Sequence, residues 1–448
     1  MGVGETRVTI KEEEREHTHI IGTTGEGKSK LLEHLIRHDI DQGKGVCFLD
    51  PSDMGDTLYN VLRYCYKIGH KKVCLIDPYH RYAFNKVPVI NPFHYQKSYK
   101  DASVALIMDT LRVLYKTSDA SDTPRIQRYL PALLRILWSS QSTLYDSIYF
   151  TQKLFINQRE QMYEYLDPHD KDVMMIEDVY RTRLTQENFQ STVNRLQPFY
   201  DDTMKLIFGS QEGINFPKMI HEGWVILVNL YSGFGFEPIH TRLLGTTIIN
   251  ELIFALDRLR NRGWRGVYYL YVDEAGRYAN RNLADLLAYK RKSGLRVTIA
   301  HQYFNQFEDR YVLDAIQNLC KLKIAFYMPN REDRDKFVRS AYGGELADRD
   351  VSFVLSGQKK QYAVIKKPKH PAHIVRIQDV NPVEVSKEEL KSYVNQIYEN
   401  EWYRTPQEIT KGFDRFNLQP QPETNKRTPP KRGLLKSVQD KILLTVNY

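Results

Sequence analysis

Eight consecutive residues near the start of the chain have the spacing Gly-x-x-x-x-Gly-Lys-Ser, which is typical of a phosphate-binding loop (P-loop). An apolar run predicts a strand before them and a helical pattern predicts a helix after them, the context this motif requires. Glycines let successive backbone amides turn toward phosphate oxygens, and the positive end of the following helix adds to the attraction. The eight residues are Gly22, Thr23, Thr24, Gly25, Glu26, Gly27, Lys28 and Ser29.

The P-loop predicts ATP and Mg²⁺ as ligands. We expect Lys28 to reach the β- and γ-phosphates and Ser29 to ligate Mg²⁺. Lys30, the next residue, is included in the predicted nucleotide-binding set. A chance Gly-rich turn is the alternative, and the strand before the motif and the helix after it argue against it.

Two adjacent carboxylates follow the β-rich run 267–272, at the strand end where parallel sheets bind their ligands. Asp273 is predicted to hold Mg²⁺ through water, and Glu274 to orient and deprotonate the attacking water. Such a pair could instead only cap the next helix. A P-loop in the same chain favours the catalytic interpretation.

Other polar side chains lie at the ends of predicted strands. Gln302 ends the run 296–302 and is a candidate sensor of the γ-phosphate, although a Gln that caps a loop is the alternative. Asp50 ends the second strand and could support Mg²⁺ or water, or form a turn. His17 and His19 flank the first strand and could contact nucleotide, but ordinary strand-entry residues are favoured.

Basic residues cluster between the acidic pair and the Gln strand. We predict that Lys290, Arg291 and Lys292 contact a DNA backbone, with a solvated helix face as the alternative. The net charge is +9, and the segment 404–448 holds five of these charges with nine Lys or Arg against four Asp or Glu. The remaining body therefore has no strong global bias.

Short apolar strands alternate with helical patterns, which predicts an α/β fold with a mostly parallel sheet flanked by helices. We expect residues 1–99 and 199–370 to form the two parts of one core. An all-helical insertion is predicted at 100–198 and a C-terminal extension with a flexible basic tail at 371–448. At 448 residues, the chain is long enough for one large or two joined domains.

The composition excludes some classes of protein. With 42% hydrophobic and 27% charged residues, the sequence is typical of a soluble globular protein. It contains no run of about 20 apolar residues and no signal-like N-terminus, so we expect a cytoplasmic protein without a transmembrane segment. The four cysteines lack metal-type spacing, which favours buried free thiols.

Four ordered blocks make most of the chain similar to the HerA-FtsK superfamily of DNA-pumping ATPases, and within it to the TraG/TraD-type conjugative coupling proteins. The blocks are HTHIIGTTGEGKSKLLEHLIRHDI with GVCFLDPSDMGD, NRLQPFYDDTMKLIFGSQEGINFPKMIHEGWVILVNL, VDEAGRY, and RKSGLRVTIAHQYFNQF before KLKIAFYM. Four blocks in order are far more specific than a P-loop alone.

This resemblance implies a RecA-like ATPase core with an all-α insertion, assembled as a ring of six. It further implies that ATP binds between subunits, that DNA threads the channel, and that a neighbour's arginine completes each site. Relaxase or secretion-channel partners are expected as well. The residues that fall on the family's nucleotide-handling positions are Lys28, Ser29, Asp273, Glu274 and Gln302.

The chain departs from the family pattern in two respects. From the sequence we expect neither the transmembrane anchor common in coupling proteins nor the small N-terminal barrel of HerA. In addition, Tyr327 stands where many relatives carry an arginine. The resemblance therefore leaves Arg331 and Arg334 as candidates for the arginine that acts in trans, with Arg195 and Arg242 as further alternatives.

The sequence thus predicts an ATP-hydrolysing DNA translocase that acts in the conjugative transfer of a mobile element. Two alternatives stay open. One is a viral or mobile-element genome packaging ATPase, which would use the same pocket and ring. The other is a nucleotide-gated DNA-binding or regulatory module with little motor activity.

Overall fold

The computed structural model describes residues 8–52, 56–78, 85–94, 97–115, 124–181, 183–233, 236–279, 281–289, 294–307, 309–342 and 348–416. In these ranges the strands are β1 (His17–Ile21), β2 (Gly45–Asp50), β3 (Val73–Ile76), β4 (Val87–Pro88), β5 (Val225–Asn229), β6 (Tyr268–Val272), β7 (Leu295–His301), β8 (Leu322–Ala325), β9 (Tyr362–Lys366), β10 (Ala372–Arg376) and β11 (Tyr403–Arg404).

Nine of these strands form one sheet in the order β10-β9-β8-β1-β7-β6-β2-β5-β3. The seven strands from β8 to β3 run parallel, and β9 and β10 complete one edge antiparallel. Every residue of β1, β2, β5 and β6 is buried, as in parallel sheets covered on both faces. All seven strands predicted from the sequence are present, and the predicted fold class is confirmed.

Helices cover the sheet and form the region between its two halves. In the described ranges they are α1 (Lys28–Asp41), α2 (Asp56–Lys67), α3 (Lys100–Leu114), α4 (Pro124–Ser139), α5 (Ile156–Tyr163), α6 (Lys171–Val179), α7 (Arg183–Asn194), α8 (Asp202–Phe208), α9 (Phe216–Glu222), α10 (Pro238–Asn261), α11 (Arg281–Tyr289), α12 (Arg310–Leu319), α13 (Arg331–Tyr342), α14 (Asp348–Ser356), α15 (Lys387–Ile397) and α16 (Pro406–Phe413). Short 3-10 helices occupy Glu12–Arg15, Lys97–Tyr99, Tyr145–Phe150, Lys153–Phe155, Gln197–Tyr200, Ala275–Arg277, Phe304–Gln306 and Asp414–Phe416.

In the described part of 100–198 the regular elements are all helices, joined by turns and irregular segments. Its helix α4 packs against α6 and α7, while α3 packs against α10 of the core. Helix α10 begins at Pro238, whose missing N–H would have no partner in the first turn, and it is buried on nearly all sides. Residues 100–198 therefore contact the rest of the molecule through α10, the longest of the described helices.

The segment after residue 370 is more structured than the fading periodicity indicated. Strand β10 pairs with β9, so the predicted boundary at 370 falls inside a hairpin. Helix α15 packs against α2 and β3, and the Tyr403 hydroxyl accepts a hydrogen bond from the backbone N–H of Leu75 at 2.9 Å. Residues 371–416 thus pack against the sheet and its helices, and the predicted flexible tail from Pro420 lies outside the described residues.

Two further expectations concern the chain as a whole. The four cysteines, Cys47, Cys65, Cys74 and Cys320, are buried free thiols, as predicted. Within the ranges described above, no helix combines the length and the apolar character needed to span a membrane.

Candidate functional site

The strand order brings the predicted site residues to one edge of the sheet. Strands β1, β7, β6 and β2 are successive parallel neighbours. Ile21 at the end of β1 lies opposite His301, and Val272 at the end of β6 lies opposite Leu49. The P-loop, the Gln302 segment, the acidic pair and Asp50 therefore all follow adjacent strand ends, which we call the carboxyl edge. This is where open α/β sheets bind ligands.

Glycine is required in the P-loop for two different reasons. Gly25 and Gly27 have φ angles of 82° and 112°, a backbone conformation that other residues rarely adopt. At Gly22 the constraint is space, because an added Cβ would lie 2.5 Å from the Cβ of Phe326. The N–H of Thr23 then donates to the carbonyl of Tyr327 at 3.1 Å, which fixes the loop against the segment after β8.

Lys28 lies inside the loop rather than in solvent. Its ammonium group donates to the carbonyls of Gly22 and Thr23, at 2.7 and 3.0 Å, and the residue is only 6% exposed. Burial lowers the pKa of Lys28, while the nearby charges of Asp273 and Glu274 oppose that shift. Lys28, which is predicted to bind phosphate, is thus close enough to the acidic pair to interact with it electrostatically.

Asp273 is a buried carboxyl group with like charges around it. Its pKa is raised to about 7, mainly by burial and then by the charges of Asp50 and Glu274, while the charge of Lys28 opposes the rise. One of its carboxyl oxygens accepts a hydrogen bond from the N–H of Glu274 at 2.9 Å. A bound cation would favour the ionised form of this group.

Glu274 has a strained backbone and a tightly held side chain. Its φ and ψ angles of 48° and 44° place a non-glycine residue in the left-handed region, where strain often accompanies function. One carboxylate oxygen accepts a hydrogen bond from the amide of Gln302, and the other accepts one from the amide of Gln306 at 3.1 Å. Gln302 therefore contacts Glu274 directly, and a residue that senses the γ-phosphate needs such a contact.

Gln306 is a site residue that the sequence analysis missed. Its side-chain oxygen accepts a hydrogen bond from the backbone N–H of Gln302 at 2.9 Å while its amide reaches Glu274. Gly276 allows this approach, because a Cβ there would lie 2.6 Å from the Cβ of Gln306. The only signal was a second Gln four positions after Gln302, which becomes meaningful once the 3-10 helix Phe304–Gln306 folds it back.

Asp50 has both carboxyl oxygens engaged by backbone. They accept hydrogen bonds from the N–H groups of Ser52 and Leu58, at 2.9 and 2.8 Å. Burial raises the pKa of Asp50. These bonds stabilise the connection into α2, which favours the turn role over a direct role in metal binding.

The two histidines of β1 contact neighbouring strands. His17 accepts a hydrogen bond from the N–H of Val297 at 3.3 Å, in keeping with a strand-entry role. His19 stacks on His301 with ring centroids 4.9 Å apart and nitrogens 2.7 Å apart. Burial lowers the pKa of His301 to about 3 and also lowers that of His19, so both rings are neutral at physiological pH. Together they join β1 and β7 directly below the P-loop.

The remaining P-loop residues lie at its rim. Thr24 and Gly25 are exposed, and Ser29 is half-buried in the first turn of α1. Lys30 forms an ion pair with Asp379, a residue that also accepts a hydrogen bond from Gln361 at 2.8 Å. Lys30 therefore joins the P-loop helix to the C-terminal segment. The carbonyl of Glu26 accepts a hydrogen bond from the N–H of Gln361 at 3.0 Å.

The candidate arginines differ in their freedom to act. Arg331 has a side chain that is 86% exposed and a single long ion pair of 3.7 Å with Asp335. Arg334 donates to the carbonyls of Met328 and Pro329, at 2.8 and 2.7 Å. The other two are engaged within the chain: Arg195 stacks over the ring of Tyr115, and Arg242 donates to the carbonyl of Leu114 at 3.4 Å. The predicted DNA-contacting residues Lys290, Arg291 and Lys292 lie outside the described residues.

A family model and several solved structures are similar to this chain. Residues 268–366 match the family model described as the TraM recognition site of TraD and TraG. The fold is similar to that of plasmid coupling protein TrwB in complex with ADP and Mg²⁺, with a TM-score of 0.60 at 14% identity, over 83% of this chain and 87% of that chain. No curated protein sequence matches the chain.

Two other solved structures extend the likeness. TrwB in complex with a non-hydrolysable ATP analogue gives a TM-score of 0.58 at 14% identity, over 83% of this chain and 89% of that chain. VirB4 of Thermoanaerobacter pseudethanolicus gives 0.54 at 15% identity, over 82% and 90%. The resemblance found in the sequence is thus supported in two respects: the chain has the RecA-like fold of the matched coupling protein, and residues 268–366 match the TraD and TraG family model.

Proposed function

We propose that this protein is a Mg²⁺-dependent ATPase that translocates DNA through a ring of subunits during conjugative transfer. One observation carries the proposal: the P-loop lysine, the acidic pair and Gln302 follow three adjacent strands and interact at one edge of the sheet. The matched TrwB structures, with ADP and Mg²⁺ in one and an ATP analogue in the other, support a nucleotide at the same edge here.

The residues present fit ATP and Mg²⁺. Gly25 and Gly27 free the loop amides to face phosphates, and Lys28 can exchange its carbonyl acceptors for phosphate oxygens. Ser29 and Asp273 would hold the metal. Among the described residues no group of three or more His, Cys, Asp or Glu could hold a metal ion by itself. Mg²⁺ commonly binds through one or two carboxylates together with substrate phosphates, so this set is sufficient.

The chain's own groups account for hydrolysis by positioning. Glu274 would orient a water in line with the γ-phosphate and accept its proton, while Lys28 stabilises charge on the transferred phosphate. Gln302 and Gln306 hold the Glu274 carboxylate through both oxygens. Mg²⁺, when bound, supplies neutralisation of phosphate charge. Because Gln302 touches the base directly, loss of the γ-phosphate can be relayed into β7.

Arg331 is the side chain we propose to act on the nucleotide of a neighbouring subunit. It starts α13, just after the segment that contacts Thr23, and its guanidinium is exposed. Arg334 is a weaker candidate because its guanidinium is already bonded to two carbonyls of its own chain. An arginine supplied in trans stabilises the charge of the transition state and is worth roughly 10³–10⁵ in rate in related chemistries.

DNA-stimulated ATP hydrolysis tests the proposed function. The purified protein is mixed with ATP and Mg²⁺, with and without duplex or single-stranded DNA, and its assembly state is measured by mass photometry on the same sample. A motor should hydrolyse ATP several-fold faster with DNA and assemble into a ring. ATP binding without DNA-stimulated turnover would instead identify the nucleotide-gated module.

Mixed rings test the role of Arg331. Arg331→Ala and Lys28→Ala proteins should each be inactive alone. When mixed, the Lys28→Ala subunits supply Arg331 to the intact P-loops of their neighbours, so activity should return in part. Arg334→Ala, the matched control, should keep its activity alone. No recovery in a mixture that forms rings would remove Arg331 from the trans role.

A further inference from the structure

A cavity of about 260 Å³ lies at the opposite edge of the same sheet, which we call the amino edge. It is lined by the end of α12, the start of β8, the end of α13 and the β9–β10 turn. Five lysines contribute to its walls: Lys321, Lys323, Lys366, Lys367 and Lys369. We call this feature the lysine cavity, and the P-loop chemistry does not account for it.

Two of these lysines face each other across neighbouring strands. Lys323 of β8 is the register partner of Lys366 of β9. Like charges directly opposite in a sheet are destabilising. Lys323 is also only 7% exposed, and burial lowers its pKa. A sheet edge that served packing alone would gain stability from an apolar residue at position 323.

The charges of the lysine cavity are only partly neutralised. Lys321 pairs with Glu16 at 2.6 Å, and Lys367 pairs with Glu14 at 3.2 Å. Lys323 donates to the carbonyl of Gln317, a neutral acceptor. Within the described ranges neither Lys323 nor Lys369 forms an ion pair, and Lys369 is exposed at the rim. The cavity therefore retains excess positive charge available to an anion.

We propose that the lysine cavity binds a phosphodiester of the DNA strand that the protein handles. A volume of about 260 Å³ lies just below the usual range of small-ligand pockets, so it suits one phosphate and sugar rather than a nucleoside triphosphate. Lys323 and Lys366 would contact that phosphate, and Lys369 the next one along the strand. Such contacts set affinity without reading base sequence. This inference rests on the proposed function.

The location separates this site from ATP. The P-loop follows the carboxyl end of β1, whereas the lysine cavity adjoins the amino end of β8, its neighbour in the sheet. DNA bound there does not compete with nucleotide. Movement of β1 and β8 relative to each other would connect the two sites mechanically.

The salt dependence of DNA binding tests the inference on the full chain. Binding of a fluorescent single-stranded oligonucleotide is measured by anisotropy across a series of KCl concentrations, for the wild type, Lys369→Ala, and Lys323→Met with Lys369→Ala. Each lost phosphate contact should lower the slope of log K against log salt by about 0.7. We expect a several-fold weaker affinity for the single variant and a larger loss for the double variant. Basal ATP hydrolysis should be unchanged.

A matched control replaces Lys67 and Lys71, two exposed lysines near the α2–β3 connection, by alanine. This protein loses the same number of charges and should keep the wild-type slope. If both lysine-cavity variants keep it too, while the wild type binds DNA, the inference fails and the proposed function stands. If the wild type neither binds DNA nor is stimulated by it, the proposed function fails.

Two further outcomes refine the test. Lys369→Ala changes an exposed side chain, so it remains informative if the Lys323→Met protein does not fold. Calorimetric titration with inorganic phosphate shows whether the lysine cavity binds a DNA strand or a free anion. Should the variants lose phosphate binding but bind DNA as the wild type does, the lysine cavity is a free-anion site and the DNA assignment is overturned.

Discussion

The carboxyl and amino edges belong to one sheet but differ in their ionisable groups, an acidic pair beside Lys28 at the first and a set of lysines at the second. At the carboxyl edge, burial and like charge raise the pKa of Asp273 to about 7. At the amino edge, burial lowers the pKa of Lys323. Each edge therefore holds an ionisable group whose charged form is disfavoured until an ion of opposite sign arrives.

The sheet therefore keeps two kinds of binding site apart. The carboxyl edge combines the P-loop, the acidic pair and side-chain amides, a set suited to a phosphate and a cation together. The amino edge offers ammonium groups with few counter-charges, a set suited to phosphate alone. Because β1 and β8 are adjacent and extend from one edge to the other, a change at one end can displace the other.

Replacing Glu274 by Gln should have the largest effect and should be confined to the carboxyl edge. The change keeps the size of the side chain but removes the base, so the rate of ATP hydrolysis should fall by roughly two or more decades while nucleotide affinity is kept. Steady-state hydrolysis and equilibrium nucleotide binding are the measurements. Glu332→Gln, on the exposed surface of α13, serves as the control.

The same variant also tests the separation of the edges. Its DNA-binding salt slope should equal that of the wild type, because Glu274 lies at the end remote from the lysine cavity. Hydrolysis at the parental rate would remove Glu274 from its assigned role, and a changed slope would show that the two edges are not independent.

The pH dependence of Mg²⁺ binding should be the next largest effect. Folding raises the pKa of Asp273 from its usual value of 3.8 to about 7, so the carboxyl group holds its proton more tightly in the folded protein. The group therefore stabilises the fold at low pH and loses that contribution as pH rises through about 7. Mg²⁺ requires the ionised form. Its apparent affinity in the presence of ADP should therefore rise about tenfold from pH 6 to pH 8.

Titration of Mg²⁺ at several pH values, followed by the thermal shift of the ADP complex, would measure this dependence. Asp273→Asn should bind the metal weakly and with a flat pH profile. An equally steep profile in that variant would mean that another group titrates. DNA binding at the amino edge is the internal comparison and should not follow this profile.

Gln306→Ala should have a smaller effect on the same edge. The change removes one hydrogen bond to Glu274 and one acceptor for the N–H of Gln302, so it loosens the base without removing it. We expect kcat to fall about three- to tenfold with the KM for ATP nearly unchanged, the cost of roughly one hydrogen bond. Gln306→Glu would place a like charge beside Glu274 and should be worse. A wild-type kcat in both variants would contradict the positioning role.

The smallest expected effect belongs to Lys369→Asn at the amino edge. Lys369 has a φ angle of 61°, and asparagine tolerates this left-handed conformation better than lysine. The free energy of unfolding should rise by about 0.5 kcal/mol while DNA affinity falls, as measured by chemical denaturation and by anisotropy. Loss of stability together with affinity would indicate that Lys369 is structural.

Much of the carboxyl edge can be predicted from local sequence patterns. Apolar runs predict the seven strands that run parallel in the sheet, and the motifs after β1, β6 and β7 each stand at a predicted strand end, whatever the order of the strands. The resemblance added the RecA-like fold, which the comparisons bear out. The sequence pattern does not identify Gln306 as a site residue, because its role depends on a 3-10 turn and on the space left by Gly276. The structure of 371–416 was missed because its strand β10 is a half-exposed edge strand with weak periodicity.

The amino-acid order alone shows which side chains are available: a glycine spacing typical of a P-loop, a paired acid after a strand, and lysines around β8 and β9. Covalent order and periodicity are local properties, so they can be read without coordinates. The folded structure is needed to show that β7 lies between β1 and β6, which brings Gln302 to Glu274. It is also needed to show that β9 runs antiparallel beside β8, which sets Lys366 opposite Lys323. Strand order and register arise from packing between distant segments, and no local pattern encodes that packing.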